Sequence, residues 1–178
     1  MPRQVIRDGQ VRDDTWEMLD PREGEGPETV PLPAGPLAVP LAVWEPRREE
    51  LLARATPLGV RLEPGDDPAR IAPDLARLAL VCIHFPRIAD GRGYSSAWLL
   101  RRRHGYAGEL RAVGEVLRDQ LFYLARCGFD AFVLREGADP SAALSAFADF
   151  TEAYQWSADG RGPGLRGREA HAGEPACG

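Results

Sequence analysis

Six residues are suited by type and spacing to hold an anion: Asp90, Arg92, Tyr94 and Ser95 in the run ADGRGYSSAW (residues 89–98), with Arg111 and Arg135 further along the chain. An arginine fork can grip two oxygens of an oxyanion at once. Glycines such as Gly91 and Gly93 let backbone N–H groups approach, and a helix opening near Tyr94 or Ser95 adds unpaired donors. In this arrangement Asp90 orients Arg92. The run lacks the lysine and the full spacing of a nucleotide P-loop, and it is not the dinucleotide fingerprint. A second arrangement fits the same residues, a capped turn in which Asp90 simply pairs with a neighbouring arginine.

Other chemistry is thinly represented, and no catalytic residue is assigned. His84, His104 and His171 fall in a strand, at a helix end and in the tail, with no Ser/His/Asp or Cys/His spacing between them. His84 reads as a hydrogen-bonded core residue rather than a base. Cys82, Cys127 and Cys177 have no paired spacing for zinc or a cluster, so no metal is expected. No flavin, nicotinamide or cluster motif can be read, and no cofactor is expected. On a helix expected over residues 115–128, Val116, Leu117, Leu121 and Leu124 share the inner face with Val113 at its start, which turns Phe122, Tyr123 and Arg126 outward. Those three form a candidate partner surface, although flanks of the core are the plainer reading of them. RRRH at 101–104 reads as a solvated helix end favoured by the helix dipole.

The elements that must position these residues alternate. Extended segments are expected at 37–44, 59–64, 79–86, 108–114 and 129–136, with helices at 45–55, 67–78, 94–105, 115–128 and 139–155. The last helix carries Leu144, Phe147, Thr151 and Tyr154 on one stripe, flanked by Phe150. About five βα units of this kind predict an α/β fold with a mostly parallel sheet, as an open doubly wound sheet or an incomplete barrel. In either case ligands bind at the carboxyl ends of the strands, where the arginines converge. Asp8-Gly9 marks an N-terminal hairpin, read as an appendage over 1–19. Residues 20–36 read as a linker, 37–156 as the α/β domain and 157–178 as a disordered tail.

Composition narrows the class. The 178 residues suit one domain, and no apolar run is long enough to span a bilayer. The start MPRQVIRDGQ has no apolar stretch behind its first basic residues, so a cytoplasmic protein without a membrane partner is expected. Net charge is −5, yet residues 87–135 hold nine arginines against five acids, a basic middle suited to a small anion rather than to nucleic acid. An incomplete barrel would leave edges that a second copy could cover, so a homo-oligomer is compatible with this reading.

The words DGRGYSSAW, GELRAVG, LRDQ and GFDAF between Asp90 and Arg135 resemble a bacterial domain family of unknown function, often labelled an oxidoreductase of sulfite reduction. The likeness extends more weakly from the N-terminal hairpin to FADFTEAYQ. Trp98 stands where the family usually has a residue such as arginine. The resemblance implies an auxiliary role in assimilatory sulfate and sulfite reduction, because members are typically encoded beside the sulfite reductase haemoprotein. Under it, sulfite reductase or its electron donor is an expected partner, and a sulfur oxyanion is an expected ligand. A non-catalytic partner or scaffold of the reductase is the alternative.

Overall fold

The computed structural model describes residues 3–87 and 90–147. Its strands are β1 (Gln4–Arg7), β2 (Gln10–Asp13), β3 (Glu17–Met18), β4 (Leu37–Pro40), β5 (Leu58–Leu62), β6 (Leu80–Phe85), β7 (Glu109–Gly114) and β8 (Ala131–Phe132). They form one sheet in the order β2-β1-β8-β7-β6-β5-β4-β3. Strands β3 to β8 are parallel and neighbour one another in chain order, while β1 pairs antiparallel with both β8 and β2. From β3 to β8 the chain advances by one strand at each crossover and never reverses, so these strands have no doubly wound switch point, and the sheet is curled into a half-barrel. The expected hairpin is present and belongs to this sheet, hydrogen-bonded along the edge of β8 rather than hanging from it.

Five regular βα units are not what fills the crossovers. Helices α1 (Leu41–Trp44) and α2 (Arg48–Leu52) follow β4, α3 (Arg92–Trp98) follows β6, and α4 (Leu121–Cys127) follows β7. Between β5 and β6 the expected helix becomes two 3-10 segments, Pro68–Arg70 and Ala72–Arg77. Asp67 caps the first by accepting from Ala69 N, and Pro73, having no N–H, prevents the two from merging into one α-helix. After β6, α3 runs into a π turn over Leu99–Arg103 that Gly105 ends at φ +66°. Helix α5 (Pro140–Ala143), capped by Asp139, opens the last helical segment. The stripe residues Thr151 and Tyr154, Phe150, and the tail with His171 and Cys177 lie outside the described residues.

Strand alternation divides the sheet into two unlike faces. Leu37, Val39, Leu58, Val60, Leu62, Val81, Ile83, Phe85, Leu110 and Ala112 face the helices and join Trp44, Leu51, Ile71, Leu100 and Leu124 in the main core. The other face carries Ala38, Leu80, Cys82 and Val113, covered by Trp16, Met18 and Val133. By the same alternation it also carries Arg61, His84, Glu109 and Arg111, and the cross-strand register sets Arg61, Cys82 and Arg111 side by side. The concave face of the half-barrel is thus mixed, charged side chains beside a small apolar cluster, and the segment between β2 and β3 lies against it. Among the described residues no helix is long and apolar enough to cross a membrane.

Candidate functional site

A cleft of about 350 Å³ opens at the carboxyl ends of β5 to β8, on the concave side. Met18, Val113 and Val133 supply apolar lining; Arg61, His84 and Gly114 come from strand ends, and Arg3, Asp20, Glu115, Arg135 and Glu136 from the surrounding segments. A relay of contacts holds one wall. Arg61 donates through Nε to Glu63 Oε1 at 2.8 Å and through an Nη to Asp20 at 2.5 Å, while Glu63 Oε2 meets His84 Nδ1 at 2.5 Å. Burial works against the Arg61 charge, but Asp20 and Glu63 together outweigh it and raise its pKa.

Gly114 is fitted to this wall. It adopts φ +98°, and a Cβ there would sit 2.4 Å from Phe85 O and 2.7 Å from His84 Cδ2. Only glycine permits both the turn and the close approach, so the imidazole edge stays uncovered by any side chain at that position. His84 is 32% exposed in its side chain, and no described residue meets its Nε2. Arg3 and Arg135 form no ion pair with any described residue, in contrast to Arg61.

The structure distributes the residues expected at an anion site. Arg135 lines the cleft. Asp90 and Arg92 instead form the capped turn. Arg92 donates Nε to Asp90 Oδ1 at 2.9 Å and an Nη to Oδ2 at 2.7 Å, and its backbone N–H also meets Oδ1. Arg92, bonded through both its side chain and backbone N–H, holds the Asp90 carboxyl down to about 2. The glycines differ in role: Gly91 has open space around it, whereas a Cβ at Gly93 would lie 2.6 Å from the Phe85 ring, so Gly93 is the residue that lets α3 pack on β6. Tyr94 turns toward α4, its ring 5.4 Å from Phe85 and 5.1 Å from Tyr123, and its hydroxyl accepts from Gln120 Nε2. Ser95 is exposed on α3.

Arg111 is at the middle of β7 rather than at a strand end, and is 2% exposed. It donates to Asp14 Oδ1 at 2.8 Å and, through Nε and an Nη, to Glu109 Oε1 at 2.8 and 2.6 Å. Period-two placement makes it a concave-face residue, and the segment after β2 delivers Asp14 onto it. Beside it, burial pushes the Cys82 thiol up to about 12, leaving it inert as a nucleophile.

The expected helix over 115–128 begins late. Val116 is buried and its carbonyl accepts from Arg135 N, and a 3-10 turn at Arg118–Gln120 precedes α4. Within α4, Arg126 is buried rather than outward, Phe122 is half-buried, and Tyr123 alone of that trio is well exposed, at 53%. Trp98, one helical turn beyond Tyr94, is the other large apolar residue exposed among the described residues. In RRRH, Arg101 is a structural clamp, donating to the carbonyls of Tyr106, Gly108 and Gly128 and to Asp130.

Sequence reasoning passed over Glu63 and Arg61 and read His84 as a hydrogen-bonded core residue; the hydrogen bond is there, to Glu63, but the ring also lines the cleft. The signal was the alternation in VRLE, CIHF and ELRAV, which puts a polar residue at every second position of three adjacent strands. Arg3, remote in sequence, had no such signal. Among the described residues no group of three or more His, Cys, Asp or Glu could hold a metal ion.

Residues 59–165, well over half of the chain, match the model of a family described as a bacterial protein of unknown function (DUF934). The matched span starts inside β5 and includes Arg61, Glu63, His84, Gly114 and Arg135, whereas Arg3, Asp14 and Asp20 precede it. No curated protein matches the chain.

Proposed function

The chain belongs to the DUF934 family of bacterial proteins of unknown function, and from that premise we propose that it binds a small oxyanion in the half-barrel cleft, as a cytoplasmic auxiliary of assimilatory sulfite reduction. The observation that carries the binding reading is the pair of guanidinium-bearing residues, Arg135 and Arg3, which line a cleft at parallel strand ends without a carboxylate of their own. Arginine in that state offers bidentate donors to an oxyanion. The Asp90–Arg92 turn is the weaker seat because Asp90 already occupies the fork. The sulfur pathway rests on the sequence resemblance and the sulfite reductase neighbourhood it implies.

Calorimetry with sulfite and sulfate tests the binding. Arg135→Ala is expected to weaken affinity at least tenfold, about 1.4 kcal/mol, while Arg92→Ala leaves it unchanged; the reverse pattern returns the site to the turn. Deletion of the gene tests the pathway: rescue of growth by sulfide but not by sulfite supports it, and growth on sulfite without the gene removes it.

A second reading, docking to the sulfite reductase or its electron donor, is favoured by the exposed Trp98 and Tyr123 on adjoining helices. Aromatic residues of this kind anchor protein interfaces. Co-purification lost on Tyr123→Ala supports it, and retention by that variant counts against it.

A further inference from the structure

We infer that anion binding in this cleft is coupled to the uptake of one proton on His84, so that the ligand is an oxyanion met by an imidazolium rather than by arginine alone. This rests on the oxyanion reading above and specifies its chemistry.

The tautomer of His84 is set by its partner. Glu63 Oε2 lies 2.5 Å from His84 Nδ1, and a carboxylate can only accept a hydrogen bond, so Nδ1 carries the proton. In the neutral ring Nε2 is then a bare acceptor. An acceptor facing an oxyanion repels it, because both present lone pairs. Nε2 becomes a donor only by taking a second proton, and the doubly protonated ring keeps Nδ1–H donated to the Glu63 carboxylate. Glu63 is held in place to do so, its Oε1 by Arg61 and its backbone N–H by Asp66 Oδ2 at 2.8 Å.

The charged groups around the ring come from every element at the mouth. Glu63 and Arg61 lie on β5 and its end, and Asp20 follows β3 and neutralises Arg61. Glu115 follows β7, Arg135 and Glu136 follow β8, and Arg3 precedes β1. Three arginines face four carboxylates here, Glu63 included, so the arginines alone supply no excess positive charge. A proton on His84 offsets the fourth carboxylate and places positive charge at the wall rather than at the rim. The proton comes from solvent and returns there when the anion leaves.

The test is calorimetry with sulfate at pH 8, where an ordinary imidazole is neutral and sulfate brings no proton of its own, repeated in buffers of different ionisation enthalpy. Uptake of about one proton per sulfate is expected in the native protein and none in His84→Gln. Nitrogen NMR of the unmutated protein gives an independent reading. The His84 ring should show the Nδ1-protonated neutral form without sulfate and the doubly protonated form with it, and Glu63→Gln should diminish that change. Sulfate binding with no proton uptake and an unchanged ring overturns the inference while leaving the oxyanion reading intact. Absence of binding by sulfate, sulfite and phosphate alike overturns both.

Discussion

Replacing Arg111 by methionine separates a structural arginine from a ligand-binding one. In the native protein the guanidinium serves two carboxylates at once, Asp14 at 2.8 Å and Glu109 at 2.6 Å, with side-chain exposures of 2%, 1% and 8% for the three residues. Glu109 keeps a second partner, Arg7, at 3.0 Å, so the substitution strands chiefly Asp14. Asp14 then retains only the Trp16 backbone N–H on Oδ1, while its buried Oδ2 already lacks a partner. Breaking a buried pair from one side costs about 3–5 kcal/mol, and the remaining Arg7 contact favours the lower end, near 3 kcal/mol. Against a total stability of about 5–15 kcal/mol for a domain, that is a large loss. Urea denaturation should show a lower midpoint with an unchanged slope. The double variant Asp14→Leu, Arg111→Met should recover most of the loss, because an apolar pair leaves no buried charge. A single variant within about 1 kcal/mol of the native protein that has lost oxyanion binding would refute this reasoning and make Arg111 a ligand donor after all.

Gly114→Ala should destabilise the fold by about 1–3 kcal/mol, since it strains a left-handed backbone and drives a Cβ toward Phe85 O and His84; thermal melting checks it, and an unchanged midpoint would mean that the turn can re-form with a side chain. Asp90 should titrate near 2 by carbon NMR, below its ordinary 3.8, because the Arg92 guanidinium and backbone N–H hold its charged form. A depressed carboxyl contributes above its unfolded pKa and is lost as pH falls through the folded one, so the turn should loosen from about pH 4 toward pH 2. A midpoint at the ordinary value would break the ion pair assignment.

The mostly parallel α/β class was legible because β4 to β7 each have an uninterrupted apolar set at alternate positions and the crossovers carry their own start and stop signals, as with Asp67 and Pro68 or Gly105. The curl of the sheet was not, since strand order depends on which neighbour each crossover reaches, and no single residue encodes that. Helix beginnings failed where the strand exit was itself structured. Residues Glu115 to Leu117 satisfy helical spacing, yet Glu115 N bonds Phe85 O and Val116 O accepts from Arg135 N, so tertiary contacts claim them first. Arg126 lies on α4 away from Leu121 and Leu124 and is buried all the same, because burial depends on what packs against a helix and not on angle alone.

The site itself shows why motif words and functional residues part company. Most words that carry the resemblance are explained by local architecture: Gly93 seats α3, Gln120 clips Leu117 N and the Tyr94 hydroxyl, and Asp130 joins Leu110 N to Arg101. The backbone demands of such contacts fix whole stretches of sequence. The cleft, by contrast, is assembled from short pieces at the ends of several strands, Arg61, His84, Val113 to Glu115 and Val133 to Glu136, with Arg3, Met18 and Asp20 from the N-terminal segment, each separated from the next by a crossover or more, so no one word spans it. Gly114 belongs to both, closing GELRAVG and admitting the His84 edge to the cleft. A half-barrel makes this division physical: its convex face must bury helices and is written in apolar runs, whereas its concave face has no helix to bury and is free to carry Arg61, His84 and Arg111. Burying three such side chains costs desolvation that only their partners Asp20, Glu63, Asp14 and Glu109 offset. At Arg111 the offset is closed, two carboxylates to one guanidinium with no solvent access. At His84 it is left open on one nitrogen, and that difference marks the mouth of the half-barrel, rather than its interior, as the place where a ligand completes the set.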